Sequence, residues 1–379
     1  MITKTDPKNP QATIFRQAKL KDILISAGLD SLILNAGPSL SYLTGLNFHL
    51  SERPVLVFFT RDLAPMIVLP ELEKEKLKQL PYEIEGFLYG EDPSLWSTTF
   101  LQAIQAGKLD GKRNGIEPTQ LRLLEYSFLS KSAPKAEFVH AGEAVANLRM
   151  YKDEGEINAM GQAAQIAEQA LNATLPFIKI GVSERDLASE LTLQLFRAGS
   201  DPQMPFSPIV SAGPNSANPH ATPSDRKLTS GDLLVIDWGA SSKGYFSDIT
   251  RTFAIGKTEE ECVEISKIVL EANAAGRAAA KPGMPMESVD RAARAVIESA
   301  GYGKYFTHRT GHGLGMESHE EPYIREGNSA PLENGMTFTI EPGIYLPGRN
   351  GVRIEDDVVI TSSGIDCLTS LPREVRLLV

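Results

Sequence analysis

The feature that most constrains this chain is a short hairpin carrying two acidic residues, a construction that the sequence builds twice. Residues 233–240 (LLVIDWGA) and 245–253 (YFSDITRTF) both have strand patterns, and Ser241-Ser242-Lys243-Gly244 between them is a turn signal. Pairing Ala240 with Tyr245 sets Asp237 opposite Asp248. Residues 337–344 and 352–360 flank a second turn at 346–350, and centring that turn on Gly348 sets Glu341 opposite Glu355. Directly opposed residues have β-carbons about 4.5–5.5 Å apart, where like charges repel. Val235, Ile236 and Trp238 surround Asp237, as in a strand buried on both faces. Two carboxylates buried that closely cannot both ionise unless a cation compensates or one keeps its proton. For either hairpin alone, a solvated turn or an ion pair with Arg251 or Arg353 would suffice. Two such pairs favour a metal site, and four carboxylates with little sulfur nearby suit Mn, Co, Fe or Zn.

The doubling extends beyond the hairpins. Helix-like stretches at 153–174 and 184–198 lead into strands, and so do 259–280 and 286–300. Gly181 and Gly199 bracket one short helix, Gly283 and Gly301 the other, and both offsets are 102 residues. The offset from Asp237 to Glu341 is 104, so the reading is an internal duplication of a helix-helix-strands unit. The N-terminal part alternates helix (15–27, 94–106, 119–129) with strand (31–34, 54–59, 65–69, 82–88), which predicts a separate α/β sheet domain. No chemical motif falls there. Residues 130–135 form a turn region before the second domain, giving a division into 1–140 and 141–379.

Composition narrows the function. A length of 379 residues predicts two domains. A net charge of −10 argues against a nucleic-acid partner, which needs clustered Lys and Arg. Lys74, Lys76 and Lys78 alternate with acidic or apolar residues and make a solvated helix face. Two distant cysteines, Cys262 and Cys367, form no disulfide framework and point to a reducing compartment. The first ten residues are polar, and no apolar run approaches 20 residues, so neither a signal peptide nor a membrane span is expected. A cytoplasmic protein is the resulting expectation.

Six histidines occur, and three of them, His308, His312 and His319, fall within THRTGHGLGMESH at 307–319. Neutral imidazole binds divalent metals readily. Gly311, Gly313 and Gly315 would let the backbone approach an ion or substrate. His220 follows Asn218-Pro219.

These residues match a known pattern. The chain resembles the pita-bread metallopeptidases of the aminopeptidase P and prolidase branch along nearly its whole length. The resemblance rests on NPH at 218–220, the Asp237/Asp248 spacing, GHGLG with His312, EPGIY with Glu341, and RIED with Glu355. It implies an α+β protein with a creatinase-type α/β N-terminal domain and a pita-bread catalytic domain with pseudo-twofold duplication. It further implies two divalent metal ions (Mn, Co or Zn) on Asp237, Asp248, His312, Glu341 and Glu355. Glu341, His220 and His319 would be catalytic, while His308, Arg353 and Tyr345 would contact substrate, Arg353 also bracing the metal carboxylates. The implied substrates are short peptides with proline in second position, and the implied assembly is a homodimer. Creatinase-like relatives act without metal and lose ligands of the five-residue set, all of which stand here. Dipeptide-cleaving prolidases often bind the substrate carboxylate through an Arg just after HE-x-P. Here Tyr323 follows HEEP and Arg325 comes two residues later, which favours an aminopeptidase over an Xaa-Pro dipeptidase.

Overall fold

The computed structural model describes residues 10–379, so the polar first nine residues of the sequence reading lie outside the described residues. The chain divides into two units, the first ending at Arg149 and the second spanning Met150–Val379.

The first unit begins with helix α1 (Pro10–Ser26), strand β1 (Ser31–Asn35) and helix α2 (Pro38–Thr44). Strands β2 (Leu56–Thr60), β3 (Met66–Pro70) and β4 (Glu85–Tyr89) follow, then α3 (Pro93–Ala106), β5 (Arg113–Ile116), α4 (Leu123–Ser132), β6 (Glu137–His140) and α5 (Gly142–Arg149). The six strands make one mixed sheet in the order β4-β3-β2-β1-β5-β6. Ile33, Phe58 and Val68 of the sheet pack with Phe100 and Ile104 of α3 and Leu129 of α4. The region 130–135 is an internal turn of this unit, because α4 runs into it and β6 completes the sheet beyond it. The alternating lysines do lie on an open face: Lys74, Lys76 and Lys78 each pair with a Glu three residues earlier.

The second unit opens with α6 (Glu154–Thr174) and α7 (Glu184–Arg197). Asp153 caps α6 by accepting the Glu156 N–H at 2.8 Å, and Ser183 caps α7 by accepting the Asp186 N–H at 3.1 Å. Strands β7 (Ile209–Ala212), β8 (Leu233–Trp238), β9 (Ser241–Ser242), β10 (Tyr245–Phe246) and β11 (Ile249–Ile255) follow. The second half repeats the plan: α8 (Glu260–Ala279), α9 (Met286–Ser299), then β12 (Gly311–Gly313), β13 (Glu320–Ile324), β14 (Thr337–Ile340), β15 (Gly343–Tyr345), β16 (Gly351–Arg353), β17 (Asp356–Thr361) and β18 (Gly364–Cys367). A last strand, β19 (Arg376–Leu378), joins the earlier sheet, ordered β19-β11-β8-β7, while the later sheet is β13-β12-β14-β17-β18. The four bracketing glycines all have φ between 81° and 100°, in the left-handed region. Gly199 and Gly301 close α7 and α9, while Gly181 and Gly283 stand in the turns that lead into those helices, so the shared offset reflects the same pair of turns built twice.

The small buried face of α6, including Ala163, Ala164, Ala167 and Ala170, lets the helix lie close to β8. The Trp238 indole N–H donates to the Ala167 carbonyl at 2.8 Å, fixing the strand end next to Asp237. Among the described residues no helix is long and apolar enough to cross a membrane.

The two hairpins differ in how far the sequence foretold them. In the second, β14 with β17 and β15 with β16 share one register, so Glu341 and Glu355 face each other at the break between the two ladders. In the first, Tyr245 pairs with Ser242 rather than Ala240, and Asp237 lies opposite Thr250. The turn is the two-residue Lys243-Gly244, with φ of 55° and 81°, as a tight primed hairpin turn requires. The shift is two residues, so side-chain faces are preserved. Asp248 remains on the face of Asp237, but as a diagonal neighbour and not a direct partner.

Candidate active site

The two halves meet where Thr250 of β11 bridges Glu355, and the Thr250 hydroxyl donates to Glu355 Oε2 at 2.6 Å. Around that junction Asp237, Asp248, His312, Glu341 and Glu355 all line one cavity of about 620 Å³, a size suited to a small ligand. His220, His308, Arg309, His319 and Arg353 line the same cavity. Asp237, Asp248, His312 and Glu355 are 8% exposed or less. One ligand atom from each of Asp248, His312 and Glu355 lies within 4.8 Å of the others.

The electrostatics are those of a site lacking positive charge. Burial, then Glu355 and Asp237, hold the Asp248 carboxyl well above the usual carboxylate range. Glu355 is raised in the same way by burial, then by Glu341 and Asp237. Burial pushes Glu341 up to about 8, against the opposing pull of Arg353. Asp237 Oδ1 and Asp248 Oδ1 are buried without any hydrogen-bond partner. Such orphans are rare and costly unless something else fills the coordination.

His312 shows what that filling is. Its Nδ1 lies 3.1 Å from the Gly313 carbonyl, which can only accept, so Nδ1 carries the proton. The lone pair on Nε2 then faces Asp248 Oδ2 at 3.8 Å and Glu341 Oε1 at 3.5 Å. Burial, then His319, keeps the ring's pKa well below its ordinary value, so an imidazolium does not resolve the conflict. An imidazole lone pair aimed at two carboxylate oxygens is repulsive unless a cation sits among them. The donor set of oxygens and one nitrogen fits a hard or borderline divalent ion.

Among the described residues Arg353 supplies the only guanidinium bonded to a carboxylate of the five-residue cluster. Its Nη2 donates to Asp237 Oδ2 at 2.6 Å, Nε donates to the Thr250 hydroxyl at 3.0 Å, and Nη1 donates to the Tyr345 hydroxyl at 3.0 Å. The Tyr345 oxygen lies 2.8 Å from His308 Nε2, and His308 Nδ1 lies 2.7 Å from the Arg309 carbonyl. The proton of His308 therefore sits on Nδ1, and Tyr345 donates to Nε2. Burial, helped by the nearby Arg353 charge, lowers the His308 pKa to about 4, which keeps this ring neutral. His220 and His319 are exposed at the rim, and the His319 and His312 rings are 3.8 Å apart.

One expectation is corrected here. The glycines of GHGLG do not clear space for an ion or substrate. A β-carbon on Gly311 would meet the Thr339 carbonyl oxygen at 1.8 Å, and one on Gly313 the Glu321 oxygen at 2.3 Å, so β12 is glycine-rich because neighbouring backbone crowds it. Gly315 makes room for Glu320, whose Oε1 would lie 2.6 Å from an added β-carbon. Three participants were also missed: Thr250, Arg309, and Asp357, whose Oδ2 accepts the Asp248 N–H at 3.0 Å. Thr250 and Asp357 each stand two residues beyond a singled-out acid on the same strand face, a signal open to a period-two reading.

Comparison with known proteins agrees with this geometry. A model of the Metallopeptidase family M24 matches residues 158–362, and one of the Creatinase/Prolidase N-terminal domain matches residues 16–151. The chain belongs to metallopeptidase family M24: a metal-dependent hydrolase in which a creatinase-type domain precedes an α+β pita-bread domain. It is 36% identical to an Xaa-Pro dipeptidase of Lactobacillus delbrueckii subsp. lactis, over 95% of this chain and 98% of the relative. A dipeptidase from Pyrococcus horikoshii superposes with a TM-score of 0.90 at 37% identity, covering 96% of this chain and 100% of the other. An X-Pro aminopeptidase from Thermotoga maritima gives 0.82 at 31% identity, covering 95% and 99%.

Proposed function

We propose that the chain hydrolyses the bond between an N-terminal residue and a following proline in short peptides, using two divalent ions (Mn, Co or Zn). Asp237, Asp248, His312, Glu341 and Glu355 are the residues that would hold them. The observation that carries this reading is the gathering of four carboxylates and His312 in one cavity, with His312 Nε2 facing Asp248 and Glu341 and two carboxylate oxygens orphaned. Divalent cations, once bound, supply Lewis acidity that polarises a carbonyl oxygen and lowers the pKa of water toward neutrality.

The chain's own residues do the rest. Glu341, bordering the cavity with its side chain 15% exposed, takes the proton of the attacking water and passes it to the departing proline nitrogen. His220 donates to the developing oxyanion, a role worth roughly 3–4 kcal/mol. His319 hydrogen-bonds the substrate and assists proton movement. Arg353 and Tyr345 hold Asp237 and His308 in place. Phe206, Ile209, Pro219 and neutral His308 offer a weakly polar wall for a proline ring. The relatives named above include both an Xaa-Pro dipeptidase and an X-Pro aminopeptidase, and the peptidase reading covers both lengths of substrate. A homodimer and a cytoplasmic setting accompany it on resemblance and cysteine usage.

The test is reconstitution of metal-stripped protein with Mn, Co and Zn, followed by rates on peptides with and without proline in second position. The expected result is metal-dependent release of the first residue from the proline peptides. Metal-independent turnover, or none on any proline peptide, would defeat the assignment.

A further inference from the structure

The His220 ring is exposed and makes no hydrogen bond among the described residues, so its place at the cavity is set by the loop that carries it. That loop leaves β7 at Ala212 and runs to Ser224, and one buried carboxylate holds it at both ends. Glu184, the first residue of α7, is 0% exposed. Its Oε1 accepts the Ala212 N–H at 2.8 Å, and its Oε2 accepts the Ser224 N–H at 3.0 Å and the Ser224 hydroxyl at 2.6 Å. The Asn215 side-chain amide donates to both oxygens, at 3.1 and 3.0 Å. Among the described residues no cation pairs with Glu184, and the nearby Arg226 is turned to Asp232. A buried carboxylate must be satisfied or it costs stability, and here the loop's own donors satisfy it.

The clasp continues to the histidine. The Asn215 carbonyl accepts the Asn218 N–H at 3.0 Å, and Asn218 Oδ1 accepts the His220 N–H at 3.2 Å. The duplication shows that a helix start here does not itself require an acid. At the 102-residue offset the counterpart of Glu184 is Met286, the first residue of α9. The backbone pairing at the two helix starts is alike: the Glu184 N–H donates to the Arg226 carbonyl and the Met286 N–H to the Ala330 carbonyl, each at 3.0 Å. The carboxylate is present only in the half whose loop carries His220.

We propose that Glu184 is a positioning residue, whose carboxylate clasps the 212–224 loop so that the His220 ring meets the developing oxyanion. Glu184 does not border the cavity and bonds to none of the five metal-holding residues, so it acts through His220. The proposal rests on the peptidase reading, which gives His220 its role.

The experiment is a double-mutant cycle on metal-reconstituted wild type, E184Q, H220A and E184Q/H220A, with kcat and KM measured on an Xaa-Pro peptide. Gln keeps the shape of Glu, but its NH2 group faces a loop donor at either oxygen position. E184Q should lower kcat roughly 10- to 100-fold, with KM and bound metal close to wild type. H220A should lower kcat about 10²- to 10³-fold, and adding E184Q to it should cost no more than a further factor of about two. S224A removes one hydroxyl donor and carries the test where E184Q does not fold: its kcat loss should be smaller and should also vanish in the H220A background. Losses that multiply, a loss of KM or bound metal in place of kcat, or an unchanged kcat would overturn the proposal. The His220 ring signal in NMR, identified by its absence from H220A, reads the clasp without turnover. E184Q or S224A should shift or broaden that signal and leave the His140 signal in place, whereas an unmoved His220 signal would remove the clasp. If wild type cleaves no proline peptide, the peptidase reading falls, and the His220 signal alone decides whether Glu184 holds the loop.

Discussion

Replacing Arg353 with Met takes away the guanidinium that is bonded to a carboxylate of the acidic cluster. Arg353 is 3% exposed, and the change removes its 2.6 Å bond to Asp237 Oδ2 together with donors to Thr250, Tyr345 and the Pro219 carbonyl. Asp237 Oδ1 is already orphaned, so the variant leaves both of its oxygens without a partner. Breaking a buried ion pair by removing one member costs about 3–5 kcal/mol, because the other charge stays buried and uncompensated. Met fills similar volume, so little of that cost is cavity. The assay is urea unfolding of metal-stripped wild type, R353M, D237N and the double variant at one pH. R353M should lose about 3–5 kcal/mol. The double variant should recover a large part of it, since D237N removes the charge that R353M leaves uncompensated. Divalent metal should stabilise both wild type and R353M by linkage. A metal-free loss below about 1 kcal/mol, or a double variant whose losses simply add, would refute the claim that Arg353 acts by compensating Asp237.

Glu341→Gln should leave the fold intact and remove nearly all turnover, with circular dichroism and rates measured on the same preparation; wild-type-like rates would end the proton-transfer role. His308 yields a pH prediction. Its folded pKa of about 4 lies below the unfolded value near 6.5, so the unfolded chain binds the extra proton between them. Its contribution is complete above pH 6.5 and is lost as pH falls toward 4, by up to about 3 kcal/mol. The difference between the pH-stability curves of wild type and H308Q should show that slope, and parallel curves would exclude it. Gly311→Ala places a β-carbon 1.8 Å from the Thr339 carbonyl oxygen and should lower stability by about 2–3 kcal/mol or more; a melting temperature within a degree of wild type would contradict the crowding argument.

Much of the site could be read before the fold because acidity inside an apolar strand is itself anomalous. Asp237 among Leu234, Val235, Ile236 and Trp238 demanded an explanation, and GHGLG with two further histidines nearby demanded the same. Other features left no such mark. Strand β6 (EFVH) is an edge strand with exposed ends and no clean alternation, so nothing separated it from loop. The Lys243-Gly244 turn needs a lysine at positive φ, which four consecutive turn-forming residues concealed.

The duplication goes deeper than the glycine and carboxylate offsets. Asp237-Trp238-Gly239 and Glu341-Pro342-Gly343 are the same acid-x-Gly construction in the two halves. A β-carbon on Gly239 would meet the Ser247 carbonyl oxygen at 2.0 Å, and one on Gly343 the Val352 oxygen at 2.9 Å. In each half the ladder breaks beside the acid, between β8 and β9 on one side and between β14 and β15 on the other. A glycine two residues on lets the opposite backbone close in and regular pairing resume, so the strand can lapse for two residues without splaying apart. That lapse takes Asp248, Glu341 and Glu355 out of regular pairing, while Asp237 stays in its ladder opposite Thr250, and the four gather near the Thr250–Glu355 bridge. The repulsion that made the hairpins improbable as ordinary strands is thereby gathered at one point, where divalent charge can offset it.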